Sequence, residues 1–281
     1  MSLDPMQPAA PSIAVFDSGF GGLTVLRALL PLIPGARYIY LGDTARLPYG
    51  AKSRETIVRY ALSSAAFLLS QGADMLVVAC NTASALALPE LQQTLPIPVV
   101  GVIEPGTYAA SLQPSAPTPG PSVLILATSA TVHSHAYAYS CAALGLVAWE
   151  KACPLLVPLV EEGWMDSPAH LAVTRQVLQI YLEEALAEAP TVSTLVLGCT
   201  HYPLLKPLIE EALAALNHPM HIVDSAAATA QAAASLLPPS QSTAAPSASF
   251  YATDSIEKFQ RLGGVFLGQQ LHEVKLIDLG G

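Results

Sequence analysis

The stretch SIAVFDSGFGGLTV (12–25) begins as an apolar run with no polar alternation, turns through three glycines and leads into a helix-forming segment. A strand that is apolar on both faces belongs to a parallel sheet covered on both sides by helices. Runs of the same kind recur at RYIYL (37–41), DMLVVAC (74–80), PVVGVI (98–103), SVLILAT (122–128), TLVLGCT (194–200), HIVD (221–224) and SFYA (249–252). Segments with helical spacing separate most of them, as at 55–69 and 172–189. The pattern predicts an α/β protein of two similar doubly wound lobes with mainly parallel sheets, its active site in the cleft between them.

The chain has 281 residues, which corresponds to about two domains. With 52% hydrophobic and 12% charged residues it is too apolar for a disordered chain. Its net charge of −9 opposes binding to nucleic acid or to anionic membranes. No apolar stretch reaches the roughly 18 residues that a membrane-spanning helix needs. The opening MSLDPMQPAAP lacks the basic start and apolar run of a secretory signal, so a cytoplasmic location is expected. Two proline-rich stretches, SLQPSAPTPGPS (111–122) and PPSQSTAAPSA (238–248), read as a linker and a surface loop. These breaks place a first lobe at 1–108 and 222–281, and a second at 109–221.

Four cysteines, at 80, 141, 153 and 199, show neither the paired spacing of a metal site nor the density of a disulfide scaffold. Cys80 and Cys199 differ from the other two because each closes an apolar strand and precedes a helix-capable segment. Val78-Ala79-Cys80-Asn81-Thr82 is echoed by Leu197-Gly198-Cys199-Thr200-His201, and Phe16-Asp17-Ser18 by Val223-Asp224-Ser225. Parallel sheets bind ligands beyond the carboxyl ends of their strands, where helix N-termini favour negative charge. A thiol placed there is expected to have its thiolate favoured. Two opposed thiols suit the inversion of a carbon acid, in which one face loses a proton and the other gains one. Cys141 and Cys153 read as small buried hydrophobes.

The loop Asp17-Ser18-Gly19-Phe20-Gly21-Gly22-Leu23-Thr24 lets backbone approach a ligand and leaves N–H groups for an anion. A nicotinamide dinucleotide fingerprint competes for Gly19, Gly21 and Asp43, but the third glycine position holds Thr24. Helix capping also accounts for Asp17, Ser18, Asn81 and Thr82, and it is compatible with ligand binding.

Taken together, FDSGFGGLTV (16–25), GDTARLPYG (42–50), ACNTAS (79–84), GVIEPG (101–106), PLVEEG (158–163), LGCTHYPLL (197–205), VDSA (223–226) and EKFQRLGGVFLG (257–268) resemble the glutamate racemases of the aspartate/glutamate racemase superfamily. The resemblance spans nearly the whole chain, and ACNTAS with LGCTHYP is a highly specific pair. It implies a cofactor-independent, metal-free enzyme that interconverts L- and D-glutamate and supplies D-glutamate for peptidoglycan. By the family's pattern Cys80 and Cys199 are the two acid/base residues, Asp17 assists Cys80, and His201 and Glu161 assist Cys199. Glu162 adjoins Glu161, and a one-residue shift would exchange them. Asp17, Ser18, Tyr49, Gly50, Asn81, Thr82, Thr200 and His201 match the positions that bind substrate. A homodimer is also implied.

The remaining polar and aromatic residues have simpler readings. His133 and His135 fit an exposed loop, Arg27, Arg54 and Arg59 solvated helix faces, and Trp149 and Trp164 packing. Nothing around Lys52 suggests a cofactor phosphate. The alternatives are an aspartate or hydantoin racemase, a nicotinamide-dependent dehydrogenase and a non-catalytic amino-acid binding protein. With so few cations, a glutamate site would rely on hydroxyls, amides and helix N-termini.

Overall fold

The structure is a computed structural model that describes residues 10–114, 121–237 and 244–280. The proposed leader-free start and the centres of both proline-rich stretches fall largely outside those residues. The first part of the chain runs β1 (Ser12–Asp17), α1 (Leu23–Leu29), β2 (Arg37–Gly42), α2 (Arg54–Ser70), β3 (Met75–Val78), α3 (Asn81–Thr94), β4 (Val99–Gly101) and α4 (Ile103–Ser111). The second runs β5 (Ser122–Ala127), α5 (Ser129–Ser134), α6 (Ala136–Ala143), β6 (Val147–Ala152), α7 (Leu156–Glu161), α8 (Pro168–Glu188), β7 (Thr194–Gly198), α9 (Lys206–Ala215), β8 (His221–Asp224) and α10 (Ser225–Ser235). The chain then closes with β9 (Ser247–Ala252), α11 (Ile256–Leu267) and β10 (Val274–Leu276).

Two sheets result, ordered β10-β9-β2-β1-β3-β4 and β6-β5-β7-β8, and every strand pairing in them is parallel. The central strands β1, β3 and β7 are buried at every position, as their unbroken apolar runs require. Alternate residues of β1 feed two cores. Ala14 and Phe16 pack with α2 and α3, while Ile13 and Val15 join a core that continues through α1 into the second sheet. The lobes therefore share a hydrophobic interior.

The order β4-β3-β1-β2 is repeated as β8-β7-β5-β6, so the halves are topological copies. In this correspondence β3 matches β7, which makes Cys80 and Cys199 equivalent strand ends. The second echo does not follow the topology, because Val223-Asp224 ends β8, whose counterpart is β4 and not β1. The true counterpart of Ser18 is Thr128, since β1 and β5 each have six residues and each is followed directly by one of these hydroxyls.

The expected lobe boundaries each cut an element. Residue 108 lies inside α4, which packs on β7 and β8, and residue 222 lies inside β8, which pairs with β7. Conversely, α10 leaves β8 and packs on α1 and β4. The small side chains of SAAATAQAAAS let α10 sit close against its neighbours. Each half thus covers the other with the helix that follows its last strand.

Candidate active site

The carboxyl ends of β1, β3, β5 and β7 converge on one cavity of about 610 Å³, lined from both lobes by Ser18, Cys80, Asn81, Thr128, Cys199 and His201 among others. Both thiols are buried, as are Asn81, Thr82, Thr200 and His201.

Cys80 caps α3, and its Sγ accepts the Ala83 N–H at 3.4 Å. The Ser18 hydroxyl lies 3.5 Å from the same sulfur. Here the structure corrects the expectation of a favoured thiolate. Burial, followed by the negative charge of Asp17, pushes the Cys80 thiol up to about 12, and the Ser18 and Ala83 contacts offset only part of this. Asp17 is itself fully buried, with Oδ2 accepting the Gly19 N–H at 2.9 Å. Burial raises its pKa against the opposing influence of His201 and the Gly19 and Gly22 amides. Asp17 is not among the residues that line the cavity and lies behind the Ser18–Gly19 loop that it holds.

Cys199 has a different partner. His201 Nδ1 lies 3.8 Å from its Sγ and 3.4 Å from Thr200 Oγ1, while Nε2 lies 3.2 Å from Glu161 Oε1. Lys258 of α11 completes the chain, its Nζ 3.2 Å from Glu161 Oε2. Burial disfavours the imidazolium, but Cys199 and then Glu161 outweigh it and raise His201 to about 10. Glu161 moves the other way: burial resists, yet His201 and Lys258 hold its carboxyl below the usual range. Phe266 closes the far side of the imidazole, edge to face at 5.0 Å. These bonds identify Glu161 as the residue paired with His201; Glu162 also lines the cavity.

The glycine loop follows from this crowding. A Cβ on Gly21 would stand 2.2 Å from Thr200 Oγ1, and one on Gly22 would stand 2.5 Å from Asp17 Cβ. Only glycine lets the β1 loop of one lobe meet the β7 loop of the other so closely.

At the start of α3 the second lobe holds both polar side chains. The Tyr137 hydroxyl donates to Asn81 Oδ1 at 2.6 Å. Thr82 Oγ1 lies 3.0 Å from Thr128 Oγ1 and 3.2 Å from Thr131 Oγ1. Asn81 Nδ2 is buried with no hydrogen-bond partner among the described residues.

Tyr49 and Gly50 line the cavity, but the Tyr49 hydroxyl is turned to Asp43. Asp43 is buried and also receives Arg46 Nε at 2.7 Å and the Thr253 hydroxyl at 3.0 Å. Tyr49 and Gly50 therefore present mainly backbone and ring to a ligand. This cluster also occupies the acidic residue on which the dinucleotide reading depended.

Sequence reasoning passed over Thr128, Tyr137, Thr131, Lys258 and the Asp43–Arg46 pair. Thr128 carried a signal, since it follows β5 as Ser18 follows β1. The others come together only through tertiary packing. His133 and His135 are exposed, and His135 pairs with Glu150 away from the cavity. Arg27, Arg54 and Arg59 are all exposed on helices, with Arg54 paired to Glu90. Trp164 stacks on His170, whereas Trp149 is 38% exposed on edge strand β6 and is not a core residue. Cys141 and Cys153 are buried outside the cavity.

Chemically, the site offers two thiols of contrasting character with hydroxyl and amide groups between them. Cys80 is held as a thiol beside an acid; Cys199 sits beside a group that is cationic at neutral pH.

A family model described as Asp/Glu/Hydantoin racemase matches residues 23–233. The glutamate racemase of Koribacter versatilis (strain Ellin345) is 48% identical, over 98% of this chain and 100% of that protein. Among solved structures, glutamate racemase from Thermus thermophilus in complex with Beta-chloro-D-alanine is similar with a TM-score of 0.81 and 42% identity, over 97% of this chain and 98% of that one. Glutamate racemase from Francisella tularensis in complex with D-glutamate is similar with a TM-score of 0.83 and 32% identity, over 96% and 98% respectively. With these matches and the paired-thiol cavity, the chain belongs to the Asp/Glu/Hydantoin racemase family, among its glutamate racemases.

Proposed function

We infer that the protein interconverts L- and D-glutamate by two-base proton transfer at Cα, with Cys80 and Cys199 alternating as acid and base. The observation that carries this reading is the presence of two buried thiols, from equivalent strand ends of two lobes, in one cavity. A base fixed on one face of Cα is placed to return a proton to that face, whereas a second group fixed on the opposite face is placed to deliver the inverting proton.

In the forward step a thiolate takes the α-proton and the C–H electron pair passes into the adjacent carboxylate. The opposite thiol then gives its proton to the other face of Cα and becomes a thiolate. Each turnover leaves the two sulfurs in exchanged states, and each state accepts one enantiomer. The His201 cation supports the thiolate of Cys199, while Asp17, with its raised pKa, is suited to exchange a proton with Cys80. Charge developing on the carboxylate would be met by Asn81 Nδ2, the Ser18 and Thr200 hydroxyls and the N-terminal amides of α3. The scheme uses no cofactor.

Family resemblance supports a homodimer that supplies D-glutamate for peptidoglycan in the cytoplasm. Among the described residues no helix is long and apolar enough to cross a membrane. The direct test is loss of circular dichroism from L-glutamate and from L-aspartate with purified protein and no added cofactor. Rapid loss with glutamate and much slower loss with aspartate is expected; no loss with glutamate would reject the reading.

A further inference from the structure

Asn81 is the first residue of α3 in the first lobe, and Tyr137 lies in α6 of the second. The 2.6 Å between them is short for an N–H donor and ordinary for a hydroxyl, so the phenol donates and Oδ1 accepts. An amide has one accepting end and one donating end. With Oδ1 held by Tyr137, the end left over is Nδ2, which is buried, without a partner among the described residues, and part of a residue that lines the cavity. A carboxylate accepts from an NH2 group and is repelled by a carbonyl oxygen, so the rotation of this one side chain decides whether the cavity attracts or rejects an anion there.

We propose that Tyr137 is a positioning residue for substrate recognition: its hydroxyl sets the rotation of the Asn81 amide so that the cavity presents a donor to a substrate carboxylate. The proposal rests on reading the cavity as the glutamate site. Tyr137 touches no substrate and acts through Asn81. Because the two residues belong to different lobes, packing of the lobes and orientation of the donor are one event. Thr82, held by Thr128 and Thr131, ties the next residue of α3 to the second lobe in the same way. Tyr137 is 0% exposed, so its hydroxyl has no competing solvent partner.

The test is a double-mutant cycle on glutamate racemisation. Tyr137→Phe is expected to lower kcat/KM about tenfold, mainly through KM, the scale of one orienting hydrogen bond. Asn81→Ala lowers it further, and the double variant is no slower than Asn81→Ala alone. Additive losses, or a Tyr137→Phe enzyme with unchanged KM, would overturn the proposal. Unchanged kinetics in Asn81→Ala would instead count against the site itself. Should Tyr137→Phe fail to fold, Asn81→Asp decides: it keeps an acceptor for Tyr137 but presents a second acceptor to the cavity, so its KM must rise at least as far as that of Asn81→Ala. A lower KM than Asn81→Ala would overturn the proposal.

Discussion

Gly21 and His201 meet across the lobe boundary so closely that a Cβ on Gly21 would stand 2.7 Å from the imidazole Nδ1. That nitrogen is the one that faces Cys199. Gly21→Ala must therefore displace the group that supports the second thiol. Overpacking at such a site costs about 1–3 kcal/mol of stability. The larger effect is expected on turnover, with kcat down by about 10²-fold for a shift of about 1 Å in a proton-transfer group. Thermal unfolding and initial rates, measured together, check this; a stability loss with full kcat would contradict it.

Cys80→Ala and Cys199→Ala should each reduce racemisation by a factor of about 10² to 10⁴, the usual worth of a placed acid or base. Far-ultraviolet circular dichroism should be unchanged, because each substitution removes a single buried sulfur and leaves the backbone hydrogen bonds of the sheets and helices in place. A variant that retains full rate in both directions would remove that thiol from the mechanism.

The pH dependence follows from the Glu161–His201 bond. Glu161 helps to raise His201 to about 10, so the cation persists through neutral pH and activity that depends on it falls as pH passes about 10. Glu161→Gln removes the negative charge, lowers the His201 pKa and should move this basic limb of kcat/KM to lower pH. Stability changes with the same sign. A histidine raised from 6.5 to about 10 on folding stabilises fully below 6.5, and that contribution is lost as pH rises through about 10. Denaturant unfolding at pH 7 and pH 10 should show a larger loss in the native protein than in Glu161→Gln.

Tyr49 separates two roles that sequence alone merges. Its hydroxyl serves buried Asp43, not the cavity. Tyr49→Phe removes one of several donors to Asp43, which keeps Arg46 and Thr253, so it should lower stability by about 1 kcal/mol, the net worth of one hydrogen bond, while KM for glutamate stays near the native value. A selective rise in KM would return the hydroxyl to the substrate.

Much of this molecule is legible in its sequence because parallel strands buried on both faces leave unbroken apolar runs. β1, β2, β3, β4, β5, β7, β8 and β9 all fall where such runs predict them. β6 and β10 do not, for the opposite reason. VAWEKA and VKL are sheet edges with exposed, partly charged positions, and they carry no apolar run. The paired thiols, Ser18, Thr200 and His201 were readable as residues at or just beyond strand ends, and Glu161, which ends α7, only through the family resemblance. Their electrostatics were not. A helix N-terminus predicts a favoured thiolate at Cys80, but complete burial beside Asp17 reverses the sign. Tyr137 and Lys258 were also hidden, since each reaches the site from an element distant in sequence. Lys258 is the one lysine or arginine among the cavity's lining residues, and it is paired to Glu161. The scarcity of lysine and arginine therefore extends into the site itself, where the other cation is His201.

The central claim, two thiols on opposite faces of one carbon, is tested most directly in heavy water with each glutamate enantiomer in turn. Early in the reaction, product isolated from either direction should carry deuterium at Cα while the remaining substrate stays protiated. Deuterium entering the remaining substrate as fast as it enters product, or product that keeps its original α-hydrogen, would mean that one group serves both faces and would contradict the account.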